Sequence, residues 1–326
     1  MDRKSKIYIA GHKGLAGSAI WRHLVQLGYE NLVGFSSREV DLTDRAATFE
    51  LMEDVLPDIV IDAAALVGGI HANSQAPVDF LHQNLRIQIN LMDAAHEIGV
   101  DRLLFLGSSC IYPKFAEQPI QESAMLTGGL EETNIGYALA KIAGVVEVQS
   151  FRKQHNRSWI SAMPSNLYGP GDNYDPANSH VLAAFLRRFH EAKVNGTQFV
   201  TIWGTGSPLR EFVHTEDLAS AVCLLLEVYD DSAPINVGSG KEISIKNLAE
   251  LVAEIVGYEG SLRYDSSKPD GTPRKALDSS RITQLGWQPS WDLKSGISDA
   301  YNSFLQEVAT AETLGNSLSN RFSTKQ

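Results

Sequence analysis

The chain has 326 residues, 43% hydrophobic and 21% charged, with a formal net charge of −11; it has the profile of a soluble globular protein long enough for about two domains. The acidic balance argues against nucleic acid or an anionic membrane surface as partner, and no apolar run approaches the ~20 residues that cross a bilayer. Two cysteines, Cys110 and Cys223, form neither a disulfide framework nor a metal-ligand spacing, and Met1–Lys6 runs into the first strand without a secretory pattern. A cytoplasmic location and no metal are therefore expected.

The first predicted element is a buried strand, Lys6-Ile-Tyr-Ile-Ala10, followed by Gly11-His12-Lys13-Gly14-Leu15-Ala16-Gly17 and an amphipathic helix over 18–27. Glycines in that turn let the backbone approach a pyrophosphate, whose charge the helix amino terminus favours. The spacing is G-x-x-G-x-x-G rather than G-x-G-x-x-G, and strand-to-helix turns also use glycine for reversal alone. Next come a strand over 32–35, the apolar run Asp58-Ile-Val-Ile-Asp62-Ala-Ala-Ala65, an amphipathic stretch from Val78 to Ile98 and a strand over 102–107. A helix over 134–155 precedes a strand over 159–163. Strands alternating with helices predict an α/β fold, a Rossmann-type doubly wound parallel sheet. Ligands of such sheets lie beyond the carboxyl ends of the strands. The glycine loop, Ser108–Cys110 and Pro164–Pro170 all fall at such ends.

Beyond Pro170 the texture changes. A turn-rich loop over 171–179 leads to a helix over 180–194, a strand over 199–203, the segment 206–214, a helix over 215–229 and a strand over 235–238 that rejoins the sheet. Residues 241–309 read as a smaller helical unit. The expected division is a dinucleotide-binding domain, 1–173 with 212–240, and a smaller mixed α/β substrate domain, 174–211 with 241–310. A polar, frayed tail is expected over 311–326.

Tyr137 and Lys141 stand four positions apart, on one helix face. A lysine ammonium favours the phenolate, pulling tyrosine below its reference pKa of about 10 and making it a proton donor or acceptor for a carbonyl. Solvated Tyr/Lys pairs are common on helices; the glycine loop, an independent signal, turns this one towards chemistry.

With these pieces the chain resembles the extended short-chain dehydrogenase/reductase superfamily and, within it, the bifunctional GDP-sugar 3,5-epimerase/4-reductases. The resemblance runs from Ile9 to about Leu305. Its most specific motifs are Ala65–Ile70, Gly107-Ser-Ser-Cys-Ile-Tyr-Pro-Lys114, Ser165–Pro170, Asn178-Ser-His180, Arg187-Arg-Phe-His190, Arg210-Glu-Phe and Lys268–Lys275. It implies Cys110 as base and His180 as acid in epimerisation next to a 4-ketone. It implies Tyr137 as proton donor for reduction, Lys141 as its tuning cation and Ser108 as a hydrogen-bond donor to the keto oxygen, with Ser109 the alternative hydroxyl. The implied dinucleotide site comprises Gly11, His12, Lys13, Gly14, Leu15, Ala16, Gly17, Arg38, Leu106, Gly107, Ser108, Ser109, Tyr137, Lys141, Pro164, Ser165, Asn166, Leu167 and His180. The implied nucleotide-sugar site comprises Arg188, Trp203, Arg210, Asp270 and Lys275; two arginines and a lysine suit a diphosphate, and Trp203 offers an apolar face.

NADP(H) is the expected cofactor, because the second strand ends in Gly34-Phe-Ser-Ser-Arg38-Glu39 with no acid before Glu39 to grip a ribose 2′-hydroxyl. Lys13 and Arg38 could pair with a 2′-phosphate. Two rivals remain at this stage: a nucleotide-sugar 4-epimerase or 4,6-dehydratase holding NAD, and an inactive NADP-binding sensor. A GDP-sugar is the expected small-molecule partner. A homodimer is expected as well, since in this superfamily the helices matching 78–98 and 134–155 pack as a four-helix bundle.

Overall fold

The computed structural model describes residues 1–268 and 270–313, the side chains of residues 311 and 312 excepted. The chain opens with β1 (Ile7–Ala10), α1 (Leu15–Gln26), β2 (Leu32–Val33), α2 (Arg45–Val55) and β3 (Ile59–Asp62). It continues through α3 (Ile70–Gln75), α4 (Pro77–Glu97), β4 (Arg102–Leu106), α5 (Ile135–His155), β5 (Ile160–Pro164) and β6 (Asn166–Tyr168). Then come α6 (Val181–Val194), β7 (Phe199–Trp203), β8 (Leu209–His214), α7 (Thr215–Val228), β9 (Ile235–Val237) and β10 (Glu242–Ser244). The last elements are α8 (Ile245–Val256), β11 (Ser261–Asp265), β12 (Arg274–Lys275), α9 (Ser280–Gln284) and α10 (Leu293–Thr313).

Six strands form one parallel sheet in the order β2-β1-β3-β4-β5-β9. Its central strands are apolar on both faces because helices cover both. Ile7, Ile9, Ile59 and Ile61 pack towards α1 and α7 with Ile20, Leu24, Leu218 and Val222. Their alternates Tyr8, Ala10 and Val60 face α2, α4 and α5 with Met52, Leu91, Met92 and Val145. From β1 the chain moves to β2 on one side and then to β3 on the other, so the order reverses at the carboxyl ends of β1 and β3. That is where a crevice opens in a doubly wound sheet.

A separate core joins Phe185 and Phe189 of α6, Leu248 and Val252 of α8, and Phe304 of α10. Over it lie β7 paired with β11, and a small sheet in which β8 takes β6, β10 and β12 as neighbours. Two sequence expectations change here. The strand expected over 32–35 stops at Val33, and the segment 206–214 contains β8, the hub of the small sheet. The stretch expected to fray continues α10 as far as Thr313; residues 314–326 of it lie outside the described residues.

Candidate active site

Where β1 ends, the glycine turn does what its residue types allow. Gly11 has φ +77°, and a Cβ there would lie 2.7 Å from the Ala63 carbonyl oxygen, at the end of β3. A Cβ on Gly17 would overlap the Gly11 carbonyl. Gly14 N donates to Gly11 O at 2.9 Å, and Gly14 then caps α1 without a side-chain hydrogen bond. The first N–H groups of α1 thus face the crevice with no side-chain acceptor on the cap, an anion-binding geometry. The His12 ring backs onto Gly34 and sits 5.5 Å from Trp21, where burial and then Lys13 lower its pKa. At the end of β2, Glu39 turns back to accept from Ser36 N (2.7 Å) and Ser36 Oγ (2.5 Å), with Lys13 Nζ at 3.9 Å. Arg38 lies exposed in the same turn. A cradle that any side chain would fill, with helix donors at its rim and its nearby acid already engaged, fits a dinucleotide.

The opposite wall begins at the end of β4. A Cβ on Gly107 would meet the flexible end of the Met163 side chain, which would have to shift. Ser108 caps the single 3₁₀ turn Ser109–Ile111, its Oγ accepting from Cys110 N at 3.3 Å. The same hydroxyl hydrogen-bonds the side chains of Tyr137 and Cys110, whereas Ser109 is packed away at 3% exposure. Helix α5 carries Tyr137 and Lys141 into this corner and lies close on β4 because Gly144 sits against the Phe105 ring. Lys141 is 3% exposed; its Nζ donates to Leu106 O at 2.9 Å and stands 4.6 Å from the Phe105 ring centroid.

Two expectations about charge need correction. Burial pushes the Tyr137 phenol well above its ordinary pKa, with Cys110 adding and the Ser108 hydrogen bond opposing. Lys141 does not bring it down, because its ammonium is turned to the Leu106 carbonyl, 6.0 Å from the Tyr137 ring centroid. Cys110, a free buried thiol, is likewise raised by burial, against the pull of Lys275, Ser108 and Lys141. Both groups therefore keep their protons at rest.

His180 enters from another part of the chain. The loop before it is tied by Asp175, whose Oδ1 accepts from Ala177 N (2.8 Å) and Asn178 N (3.0 Å). Gly69 N donates to Asn178 O at 3.1 Å, and a Cβ on Gly69 would lie 2.8 Å from Ser179 O. The motifs Ala65–Ile70 and Asn178–His180 thus touch through backbone. His180 caps α6, solvent-accessible on one side yet crowded enough that burial, then the charge of Lys275, lowers its pKa. The charge of Lys275 acts on Cys110 and on His180 alike.

Lys275 of β12 lies opposite Arg210 of β8 in parallel register. Among the remaining expected residues, Arg188 donates to Thr201 O, and burial lowers its pKa. Trp203 is 58% exposed, with Lys268 Nζ 5.5 Å from its ring centroid. Asp270 closes the turn after β7, accepting from Thr205 N (2.7 Å) and Thr205 Oγ1 (2.9 Å). On the cofactor side, Ser165 N donates to Val237 O at 3.0 Å, and Asn166 Nδ2 donates to Glu211 O at 2.7 Å. Leu167 packs partly buried against the main core, as Ala16 does.

Sequence reasoning missed two residues that shape the crevice. Asn84, on the buried side of α4, accepts from Leu66 N at 2.9 Å and donates to Leu66 O at 3.0 Å, fixing the Ala65–Ile70 loop. Its signal was an amide on the face that α4 buries, with a second amide, Gln88, four positions on. Glu131 binds Lys114 Nζ (3.0 Å) and Thr272 Oγ1 (3.2 Å) and accepts from Thr133 Oγ1 (3.3 Å). Its charge also reaches Arg210 and Lys275. No sequence pattern marks it.

The chain belongs to the NAD dependent epimerase/dehydratase family, whose model matches residues 7–238. Within that family it groups with the GDP-L-fucose synthases. It is 56% identical to GDP-L-fucose synthase 1 of Arabidopsis thaliana over 307 residues, 94% of this chain and 95% of that one. A GDP-L-fucose synthetase from Naegleria fowleri bound to NADP superposes with a TM-score of 0.88 at 26% identity, over 95% of this chain and 97% of that one. A GDP-mannoheptose C4 reductase from Campylobacter jejuni with NADP bound gives 0.86 at 35% identity, over 94% and 99%. Among the described residues no helix is long and apolar enough to cross a membrane.

Proposed function

We infer that this chain converts GDP-4-keto-6-deoxy-D-mannose to GDP-L-fucose, inverting C3 and C5 and then reducing the C4 ketone with NADPH. The observation that carries this reading is the crevice in which Ser108, Cys110, Tyr137 and Lys141 meet at the end of β4, with Lys275 acting on both Cys110 and His180. The relatives' names supply the product, GDP-L-fucose; the crevice supplies the groups that its formation from a 4-keto sugar needs.

A C4 ketone acidifies the hydrogens on C3 and C5. The thiol of Cys110 first passes its proton to the neutral imidazole of His180; the thiolate then removes the C3 or C5 proton, and the imidazolium returns one on the opposite face, which restores thiol and imidazole. At rest both are neutral, since burial disfavours thiolate and imidazolium alike. For reduction, the phenol of Tyr137 carries its proton to the C4 oxygen while Ser108 hydrogen-bonds that oxygen. Lys141, bonded at rest to the Leu106 carbonyl, turns from it to steady the charge left on Tyr137 as the phenolate forms. NADPH, when bound, supplies the hydride, held at Gly11–Gly17, with Lys13 and Arg38 on the side of a 2′-phosphate.

The NAD-dependent rivals are not favoured. The turn after β4 reads Ser109-Cys110 where a dehydratase needs acids, and Glu39 is folded onto Ser36 rather than offered to a ribose. We further take 1–173 with 212–240 as the dinucleotide domain and 174–211 with 241–310 as the sugar-nucleotide domain. A cytoplasmic homodimer completes the reading. Its support is the pair of free cysteines and an apolar stripe on the neighbouring helices α4 and α5, where Val78, Ile89, Ile135, Leu139 and Val146 are 41–59% exposed.

Mixing the protein with NADPH and GDP-4-keto-6-deoxy-D-mannose should consume absorbance at 340 nm and yield GDP-L-fucose by chromatography. No loss of NADPH with authentic substrate would end this reading.

A further inference from the structure

Asp62 is a carboxylate with no part in the chemistry above, and it is buried to 0% exposure at the carboxyl end of β3. Its Oδ1 accepts from Ala64 N at 3.2 Å, while Oδ2 has no hydrogen-bond partner. Capping that turn would need only one oxygen and no burial, so a cap alone does not account for an ionisable group here.

Position accounts for it better. Asp62 and Phe105 are register partners on adjacent parallel strands, so their side chains leave the same face of the sheet. That face meets α5, and the Lys141 ammonium stands over the Phe105 ring, bonded to the carbonyl next along β4. The carboxylate therefore opens onto the same floor as the ammonium, closed to solvent, with no direct hydrogen bond or ion pair between them among the described residues. Other groups facing Asp62 are Tyr8 of β1 and Glu147 of α5, the latter also facing Asp93 of α4. Burial and those two acids raise Glu147 to about 8, which leaves it uncharged at neutral pH. Lys141 is the cation that acts on Asp62. In the other direction, burial strips charge from Lys141, and Asp62, ahead of Cys110, restores it.

We propose that Asp62 is the counter-ion of Lys141, a positioning residue that keeps the buried ammonium charged and so extends C4 reduction to higher pH. The proposal rests on the reading of Lys141 given above, but its test does not depend on turnover. Lysine side-chain NMR on the full chain, without substrate or cofactor, follows the titration of Lys141, assigned with Lys141→Arg. Asp62→Asn keeps the shape of the side chain and removes the charge. Asp62→Leu does so with an apolar group that folds even if a buried amide is not tolerated.

Both variants should titrate Lys141 lower by about one pH unit, the scale on which a close opposite charge acts. The alkaline fall of NADPH oxidation should begin lower by the same margin, with the plateau kcat near pH 7 less affected than the rate at pH 9. A Lys141 titration that stays at the wild-type position in a folded variant overturns the proposal, whatever happens to turnover. A lowered titration in a protein whose wild type does not oxidise NADPH would uphold the coupling of the two charges and overturn the function assigned to it.

Discussion

At the scale of single residues, the proposed roles divide the two half-reactions between different side chains. Tyr137→Phe removes the proton donor but leaves Cys110 and His180 in place. It should abolish NADPH oxidation, a loss of at least ~100-fold, while hydrogens at C3 and C5 still exchange in deuterated water by NMR. Cys110→Ser should do the opposite to exchange, because a serine hydroxyl is far harder to ionise than a thiol; exchange at the wild-type rate would remove Cys110 as base. Asp62 gives a stability signature with its own sign. Burial raises its carboxyl to about 6, so the folded chain holds that proton more tightly than the unfolded one. Stability from this group is full below the unfolded carboxylate's pKa and declines as pH rises through about 6. At ~1.4 kcal/mol per unit the decline is about 3 kcal/mol. Urea unfolding at pH 4 and pH 7 should show that slope in the wild type and lose it in Asp62→Leu.

Among the elements, the glycine turn is the most exacting. Gly17 sits on Gly11 and Gly11 on Ala63, so Gly17→Ala must push α1 away from β1 and tilt its amino terminus. NADPH affinity by fluorescence titration should fall at least ~10-fold, with a loss of stability of about 1–3 kcal/mol. This element was legible in the sequence because close backbone approach leaves a residue-type signature, as was the Tyr137/Lys141 spacing on α5. Asp62 and Glu131 were not legible. Lys141 is 79 positions from Asp62 and Thr272 is 141 from Glu131, and neither pairing exists before the tertiary fold. Strand β8 escaped notice for a related reason. Its neighbours β6, β10 and β12 are two or three residues long, too short to show a period. The tuning of Tyr137 was misjudged because four-residue spacing shows that two side chains share a face, not that one points its charge at the other.

For the whole molecule, assembly and catalysis make separate demands. Leu139 and Val146 are 44% and 41% exposed on α5, on the helix that also buries Lys141. Leu139→Glu with Val146→Lys should turn a dimer into a monomer in analytical ultracentrifugation; a wild type that is already monomeric at micromolar concentration would refute the proposed interface.

Glu131 works at this scale as well. Burial opposes its charge, but Lys114, Thr133 and Thr272 outweigh burial and hold its carboxyl below the usual range. The tether is at full strength above the ordinary carboxylate pKa and is released as pH falls through that lower value. Its partners come from the loop beyond the thiol, the turn that launches the phenol's helix and the segment that delivers the phosphate cations. These distant stretches of chain are moored to one post. Acid that unmoors one would set all of them adrift together, so epimerisation and reduction should fail in step as pH drops, although their reacting groups differ.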